Sequence, residues 1–251
     1  MRTTEIYSTK AEKYAKYRWD YSLQAIEAII QIAHVTEQTL AADIGAGTGM
    51  LTKHFAGRVR HIYAVEPNDE MRKIAEGQLE RFENCSVIKG CAEAIPLGNQ
   101  SVDLITVAQA LHWFDPTRTR AEFRRVLKPK GWLTAIRNYG VDQTLNQAMG
   151  RICAEADRAG LLEAVPHPEE KPVSYYCGHE DIQRLTYEIE EKQNWDEFIG
   201  SLLSASYMPE ESHPSYPRLE RVARQVFDDL SENGELRVRG ETELIIGQVL
   251  F

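Results

Sequence analysis

Residues 40–55 read Leu40-Ala41-Ala42-Asp43-Ile44-Gly45-Ala46-Gly47-Thr48-Gly49-Met50-Leu51-Thr52-Lys53-His54-Phe55. A short apolar run enters a turn with glycine at every second position, and the residues after it begin like a helix. Glycine lets the backbone approach a ligand closely, and a helix N-terminus offers unbonded N–H groups. An ordinary turn between strand and helix seldom needs more than one glycine. Three alternating glycines, with an acid two residues upstream, therefore mark a ligand site.

The rhythm continues outward from this stretch. Strands are expected at 40–44, 61–66, 85–89, 102–108 and 131–137, with helices between them. The segment 69–82 places Met71, Ile74, Ala75 and Leu79 at helical spacing. The segment 116–128 opens with Asp115-Pro116, an N-cap followed by proline at the first helical position, and stops at Pro129 and Gly131. Strands alternating with helices predict a doubly wound α/β fold on a mostly parallel sheet. Arg118, Arg120, Arg124, Arg125, Lys128 and Lys130 on or just after that helix read as a solvated basic face.

Before the core, Ser22 starts a helix carrying Leu23, Ile26, Ile29, Ile30 and Ala33. Residues 1–21 are tyrosine-rich, and 7–21 suit a lid or a surface helix. After the core, helices are expected at 144–160, 195–206 and 217–230, and strands at 182–189 and 242–250. A loop with Pro166, Pro168 and Pro172 lies between. Segments 141–180 and 195–235 read as additions that roof one end of the sheet.

The 251 residues are 43% hydrophobic and 27% charged, as in soluble globular proteins, and the net charge of −9 disfavours nucleic acid as a partner. No run approaches the roughly 20 apolar residues that span a bilayer. The start of the chain lacks the apolar core of a signal peptide. Cys85, Cys91, Cys153 and Cys177 have no zinc or CxxC spacing. The expectation is a cytoplasmic protein with reduced thiols, no membrane insertion and no metal site.

Three features should meet at the carboxyl ends of the strands, where open α/β sheets bind ligands. They are the glycine turn, Glu66 at the end of the second strand, and Gly90-Cys91-Ala92-Glu93 after the third. A carboxylate at Glu66 can accept both hydroxyls of a ribose. Nicotinamide dinucleotides and S-adenosylmethionine both fit such a pattern. The third glycine of a dinucleotide turn is replaced here by Met50. Asp43 would repel a pyrophosphate and suit an ammonium, directly or through water, which favours S-adenosylmethionine.

Asp43-Ile-Gly-Ala-Gly-Thr-Gly49 resembles the first motif of class I S-adenosylmethionine-dependent methyltransferases. Val65-Glu-Pro-Asn68 with Met71 resembles their second. Gly90-Cys-Ala-Glu-Ala-Ile-Pro-Leu97 resembles their third-strand motif. Ser101 to Asp115 and Arg125-Val-Leu-Lys-Pro-Lys-Gly131 resemble the fourth-strand and pre-fifth-strand motifs. The resemblance covers about residues 36–140. Gln109-x-x-His-Trp-Phe-Asp115 is similar to the trans-aconitate-methyltransferase-like proteins of the ubiquinone-biosynthesis-type small-molecule group.

The resemblance implies a Rossmann-like sheet whose last strand is antiparallel, with helical additions. It implies one domain over 1–251: lid and helix at 1–35, cofactor-binding core at 36–140, and acceptor-pocket additions with the last strands at 141–251. It places Gly45, Ala46 and Gly47 along the methionine part of S-adenosyl-L-methionine, Glu66 on the ribose, Pro67 next to it in the motif as a further cofactor-binding residue, Asn68 and Met71 beside the adenine, and Ala92 and Glu93 on the adenine. Gln109 falls by the methionine part or the sulfonium. Cys91 stands where many relatives carry an aspartate that accepts the adenine amino group, and a thiol is a weak partner for it.

The implied reaction is in-line methyl transfer to a small-molecule acceptor, with a homodimer left open. A non-catalytic S-adenosylmethionine-binding protein acting through a partner is the alternative. His112 is the candidate base, or else it packs with Trp113 and Phe114 against cofactor and lid. Tyr14, Tyr17 and Arg18 are the expected lid contacts. A carboxylate acceptor needs no base and wants a cation such as Arg18 or Arg137. Tyr175, Tyr176, His179, Trp195 and Tyr207 are candidates for the acceptor pocket.

Overall fold

The computed structural model describes residues 10–158, 168–205 and 208–250. Tyr7, Gly160, Pro166 and Tyr207 lie outside the described residues. Helix α1 (Ala11–Tyr17) and α2 (Leu23–Ile32) precede β1 (Leu40–Ile44). Then come α3 (Thr52–Phe55), β2 (His61–Val65), α4 (Asp69–Leu79), β3 (Cys85–Ile88) and β4 (Val102–Ala108). They are followed by α5 (Pro116–Val126), β5 (Leu127–Gly140), α6 (Gln143–Arg158) and α7 (Val173–Cys177). The described chain closes with β6 (Gln183–Gln193), α8 (Trp195–Leu203), α9 (Tyr216–Leu230) and β7 (Leu236–Gln248).

The strands form one seven-stranded sheet in the order β3-β2-β1-β4-β5-β7-β6. β1 pairs in parallel with β2 and β4, β2 with β3, and β4 with β5. β7 runs antiparallel to both its neighbours, β5 and β6. Chain order reverses between β1 and β4, so a crevice opens at the carboxyl ends of these strands.

Strand parity sorts the core. Ala42, Ile44, Ile105 and Val107 face the side covered by α5 and α7, with Phe123, Val126 and Tyr176. Ala41, Ile62 and Leu104 face α2 and α3, with Ile26, Ile29 and Phe55. Each such side chain contributes roughly 1.5–3 kcal/mol by leaving water. A further cluster joins α6, α8 and α9 through Ile152, Phe198, Leu202, Leu219 and Phe227 over the start of β7.

The helix after the glycine turn is shorter than its sequence pattern. Gly45, Gly47 and Gly49 have φ of +71°, +57° and +82°, so regular helix starts only at Thr52, and Gly57 at +82° follows its end. β6 and β7 are longer than expected. Their eleven-residue pairing, Gln183↔Ile246 to Gln193↔Leu236, carries charged residues on the outward positions that hide the strand pattern. The stretch expected to be loop contains α7, whose Val173, Tyr176 and Cys177 are core residues. The basic helix α5 is only partly a solvated face. Arg125 bonds the Glu122 carboxylate at 2.7 Å and the carbonyls of Leu97 and Ile95 at 2.7 and 2.8 Å, while Glu122 accepts the Ile95 N–H at 2.7 Å. This grip braces the loop after β3.

Candidate functional site

The loops leaving β1, β2, β3 and β4 enclose a cavity of about 370 Å³, within the usual range for small-molecule sites. The first loop contributes Gly45 and Gly47, and the second Glu66, Pro67, Asn68 and Met71. The third contributes Cys91, Ala92 and Glu93, and the fourth Gln109 and Trp113. Tyr14 reaches over from α1. Sequence reasoning gave no wall role to Ala108 or Ala110, whose small size leaves the space open, or to Phe114 except as packing.

Glu66 is the centre of the wall. One carboxylate oxygen accepts the Gly47 N–H at 2.8 Å and the other the Asn68 N–H at 2.8 Å. The carboxylate is thus held in a fixed plane with lone pairs to spare. Burial raises its pKa, and the two N–H bonds oppose that rise. Asn68 in turn caps α4 by accepting the Met71 N–H at 2.9 Å. Glu93 accepts the Asp115 N–H at 2.8 Å, tying the third loop to the start of α5. Burial and the neighbouring Glu93 carboxylate keep the Cys91 thiol protonated by raising its pKa.

The glycine loop is not an anion cradle. Gly45 and Ala46 N–H both bond Val65 O, at 2.9 and 3.1 Å, and Gly49 N–H bonds Ala46 O at 2.9 Å. With Gly47 on Glu66, four of the loop's donors are engaged within the protein. The described residues lining this cavity include two carboxylates, Glu66 and Glu93, and no lysine, arginine or histidine. A Cβ added at Gly47 would meet nothing within 4 Å, so that backbone borders open space.

Two residues expected along the cofactor do not line the cavity. Ala46 is buried against Ala64, Ala75 and Leu79. Asp43 is fully buried beneath the loop, where its oxygens accept the hydroxyls of Thr52 at 2.6 Å and Thr106 at 2.9 Å. It therefore positions the turn and does not meet a ligand ammonium directly. Burial lifts its pKa to about 6 even though the Thr52 and Thr106 hydrogen bonds pull the other way.

Gln109 is a hinge between spaces. It ends β4 with φ +54°, a left-handed conformation rare for a non-glycine residue. Its N–H bonds Ile136 O at 3.0 Å and its side chain donates to Asn138 O at 3.1 Å. Beyond it lies a second cavity of about 240 Å³, which shares Tyr14 and Gln109 with the first. Its walls come from the lid, the end of β5, α6, α8 and β7, including Arg18, Trp19, Tyr21, Asn138, Met149, Gln193 and Phe198.

α1 covers both spaces, packing on α8 and reaching α4. Tyr17 does not enter a cavity. Its ring lies where a Cβ on Gly200 would come within 2.5 Å. Lys10 donates to Ala205 O at 2.6 Å and to Met208 O. The chain after α1 is pinned: Asp20 pairs with His54 and Lys53, each at 2.7 Å, and Asn138 bonds Asp20 O at 3.0 Å.

His112 falls elsewhere. A 3-10 turn at Leu111–Trp113 directs it to a third cavity of about 450 Å³, with Arg137, Lys171, Arg184 and Glu243. It is not among the residues lining the two cavities that Tyr14 joins, and its own cavity shares Gln109 and Ala110 with the first. Arg137 is engaged by Glu243 at 2.6 Å. Of the aromatic candidates, Tyr176 is in the core, Tyr175 stacks under Arg120, Trp195 packs on Phe227, and His179 bonds Gln248 O at 2.7 Å. None of these four lines the second cavity. Among the described residues there is no cluster of three metal-ligating side chains, and no helix is long and apolar enough to cross a membrane.

Residues 42–135 match the family described as a methyltransferase domain. The chain is 36% identical over 143 residues to the uncharacterized methyltransferase Rv3342 of Mycobacterium tuberculosis, covering 55% of this chain and 56% of that protein. The match thus spans only about half the length of that relative. Identity to the uncharacterized methyltransferase YcgJ of Bacillus subtilis is 26% over 192 residues, 75% of this chain and 73% of the relative. The crystal structure of YcgJ superposes with a TM-score of 0.58 at 21% identity, covering 92% of this chain and all of that one. A protein of Anaeromyxobacter dehalogenans described as a type II methyltransferase gives 0.64 at 23% identity, over 93% and 99% of the two chains. These two structures share the fold.

Proposed function

We propose that this chain, whose residues 42–135 match a methyltransferase domain, moves the methyl group of S-adenosylmethionine to a small organic acceptor. Such a domain implies that donor. The carrying observation is the charge of the first cavity: two carboxylates, no cation among the described lining residues, and a glycine loop with four of its donors engaged within the protein. The two carboxylates oppose a pyrophosphate there, whereas a ribose diol, an α-ammonium and a sulfonium suit them. This replaces the argument from Asp43, whose carboxylate is turned away under the loop.

When bound, S-adenosylmethionine supplies an electrophilic methyl on a sulfonium. Glu66 would take the ribose hydroxyls, with Pro67, Asn68, Met71, Ala92 and Glu93 around the adenine. Gly45, Gly47 and Gln109 would run along the methionine part. The acceptor would occupy the second cavity and meet the donor at Gln109, under Tyr14. Gln109 and Tyr14 would align an acceptor lone pair with the donor's methyl carbon, opposite the sulfur that would leave as the neutral thioether of S-adenosylhomocysteine. Orientation of this kind is equivalent to roughly 10⁵–10⁸ M effective concentration, and closure of α1 excludes water. Residues 36–140 would thus hold the donor, 1–35 the lid, and 141–251 the acceptor wall within one domain.

The test is incubation with methyl-labelled donor and a metabolite panel. Label should pass to an organic product with release of S-adenosylhomocysteine. Binding of the donor with no transfer to any acceptor would contradict the enzymatic reading.

A further inference from the structure

Arg18 is the one charged side chain among the described residues lining the second cavity. Its Nε is buried without a hydrogen-bond partner, and no ion pair reaches it among the described residues. Its guanidinium stacks over the Tyr14 ring at 5.1 Å. Arg72 and Arg125 are compensated, by Asp69 and by Glu122 at 2.7 Å, whereas Arg120 and Arg124 share with Arg18 a buried Nε without a hydrogen-bond partner; of these three, Arg18 is the one that lines the second cavity. A guanidinium drawn out of water without a counter-charge is unfavourable. Around it stand Trp19, Tyr21, Leu145, Met149 and Phe198, an apolar and aromatic wall.

We propose that Arg18 is the specificity-determining anchor for an anionic group of the acceptor, so that the acceptor is a small molecule with an apolar body and one carboxylate or phosphoryl group. The proposal rests on reading the first cavity as the donor site. A planar guanidinium binds either anion through two parallel hydrogen bonds. The chain's net charge of −9 gives no general attraction for anions, so their recognition must be local. Arg18 also follows directly on α1, and its N–H bonds Tyr14 O at 3.2 Å. An anion held by Arg18 therefore holds the lid helix down over both cavities.

The test titrates the full chain, saturated with S-adenosylhomocysteine, with benzoate, cinnamate, hexanoate, octanoate and phenyl phosphate, and with the amides matching the carboxylates. At least one anion should bind tenfold or more tightly than its neutral counterpart (phenol serving for phenyl phosphate). Arg18→Gln should erase that preference, Arg18→Lys should keep part of it, and both variants should bind S-adenosylhomocysteine like the wild type. The carboxylate and phosphate arms tell the two anions apart. Equal binding of neutral and charged probes, a preference that survives Arg18→Gln, or no anion binding by a wild type that binds S-adenosylhomocysteine would each overturn the proposal. A wild type that does not bind S-adenosylhomocysteine would overturn the donor-site reading instead.

Discussion

The Glu66 carboxylate accepts the Gly47 N–H at 2.8 Å, linking the loop after β1 to the end of β2. One bond thus sets both the path of the glycine turn and the orientation of the acid. Glu66→Gln keeps the shape but loses the charge and one acceptor. The expected result is a roughly 10- to 100-fold loss of S-adenosylmethionine affinity, the worth of one or two charge-assisted bonds. Calorimetry reads it directly, and unchanged affinity would remove Glu66 from the donor site.

Two glycines of one turn should behave differently. A Cβ at Gly45 would lie 2.8 Å from the Ala110 Cβ, at a φ of +71°. Gly45→Ala should therefore destabilise the fold by about 2 kcal/mol or more. Gly47, at +57°, borders open space. Gly47→Ala should cost about 1 kcal/mol of backbone strain but lower donor affinity by blocking its path. Urea melts and donor titrations on both variants separate the effects.

These contrasts bear on what the sequence alone reveals. The wall of the first cavity was legible because its residues lie on the segments that follow strand ends, one to six positions on, where the alternation of strand and helix already places them. Asp43 was legible as an important acid but not in its direction, since its partner Thr106 lies 63 residues away. Strand parity held a clue, for Asp43 shares a face with Ala41, which packs toward α2 and α3. His112 was legible as a residue of this loop but not in its direction, since the left-handed Gln109 and the 3-10 turn after it bring it to the third cavity. The second cavity was illegible beyond its lid residues, because residues from Tyr14 to Val238 make it only when α6, α8 and β7 have packed.

Asp43 predicts a pH signature. Its pKa rises from the usual carboxylate range to about 6 in the folded state. Between about pH 4 and 6 the folded chain therefore holds a proton that the unfolded chain releases. This group's contribution to stability falls as pH rises through that window, by on the order of 2 kcal/mol. Asp43→Asn lacks the titration, so its stability relative to wild type should improve from pH 4 to 6 and then level off. A flat difference across denaturant melts at these pH values would contradict the buried, ionisable Asp43.

The lid should respond to a methyl group on its support. In Gly200→Ala the added Cβ would meet the Tyr17 ring at 2.5 Å. Alanine favours the α8 helix by roughly 1 kcal/mol, so the melting temperature should hold. The displaced lid should instead be cut faster by trypsin at Lys13, Lys16 or Arg18, with kcat/KM about tenfold lower. Unchanged cleavage and turnover would show that α1 does not close over the site.

The central claim is that the first cavity takes S-adenosylmethionine. It is tested most directly by titrating the chain, in separate calorimetry runs, with S-adenosylmethionine and with a nicotinamide dinucleotide. The cavity's two carboxylates and engaged loop donors predict one-to-one binding of S-adenosylmethionine and no heat from the dinucleotide. Binding of the dinucleotide, or none of S-adenosylmethionine, would contradict the account.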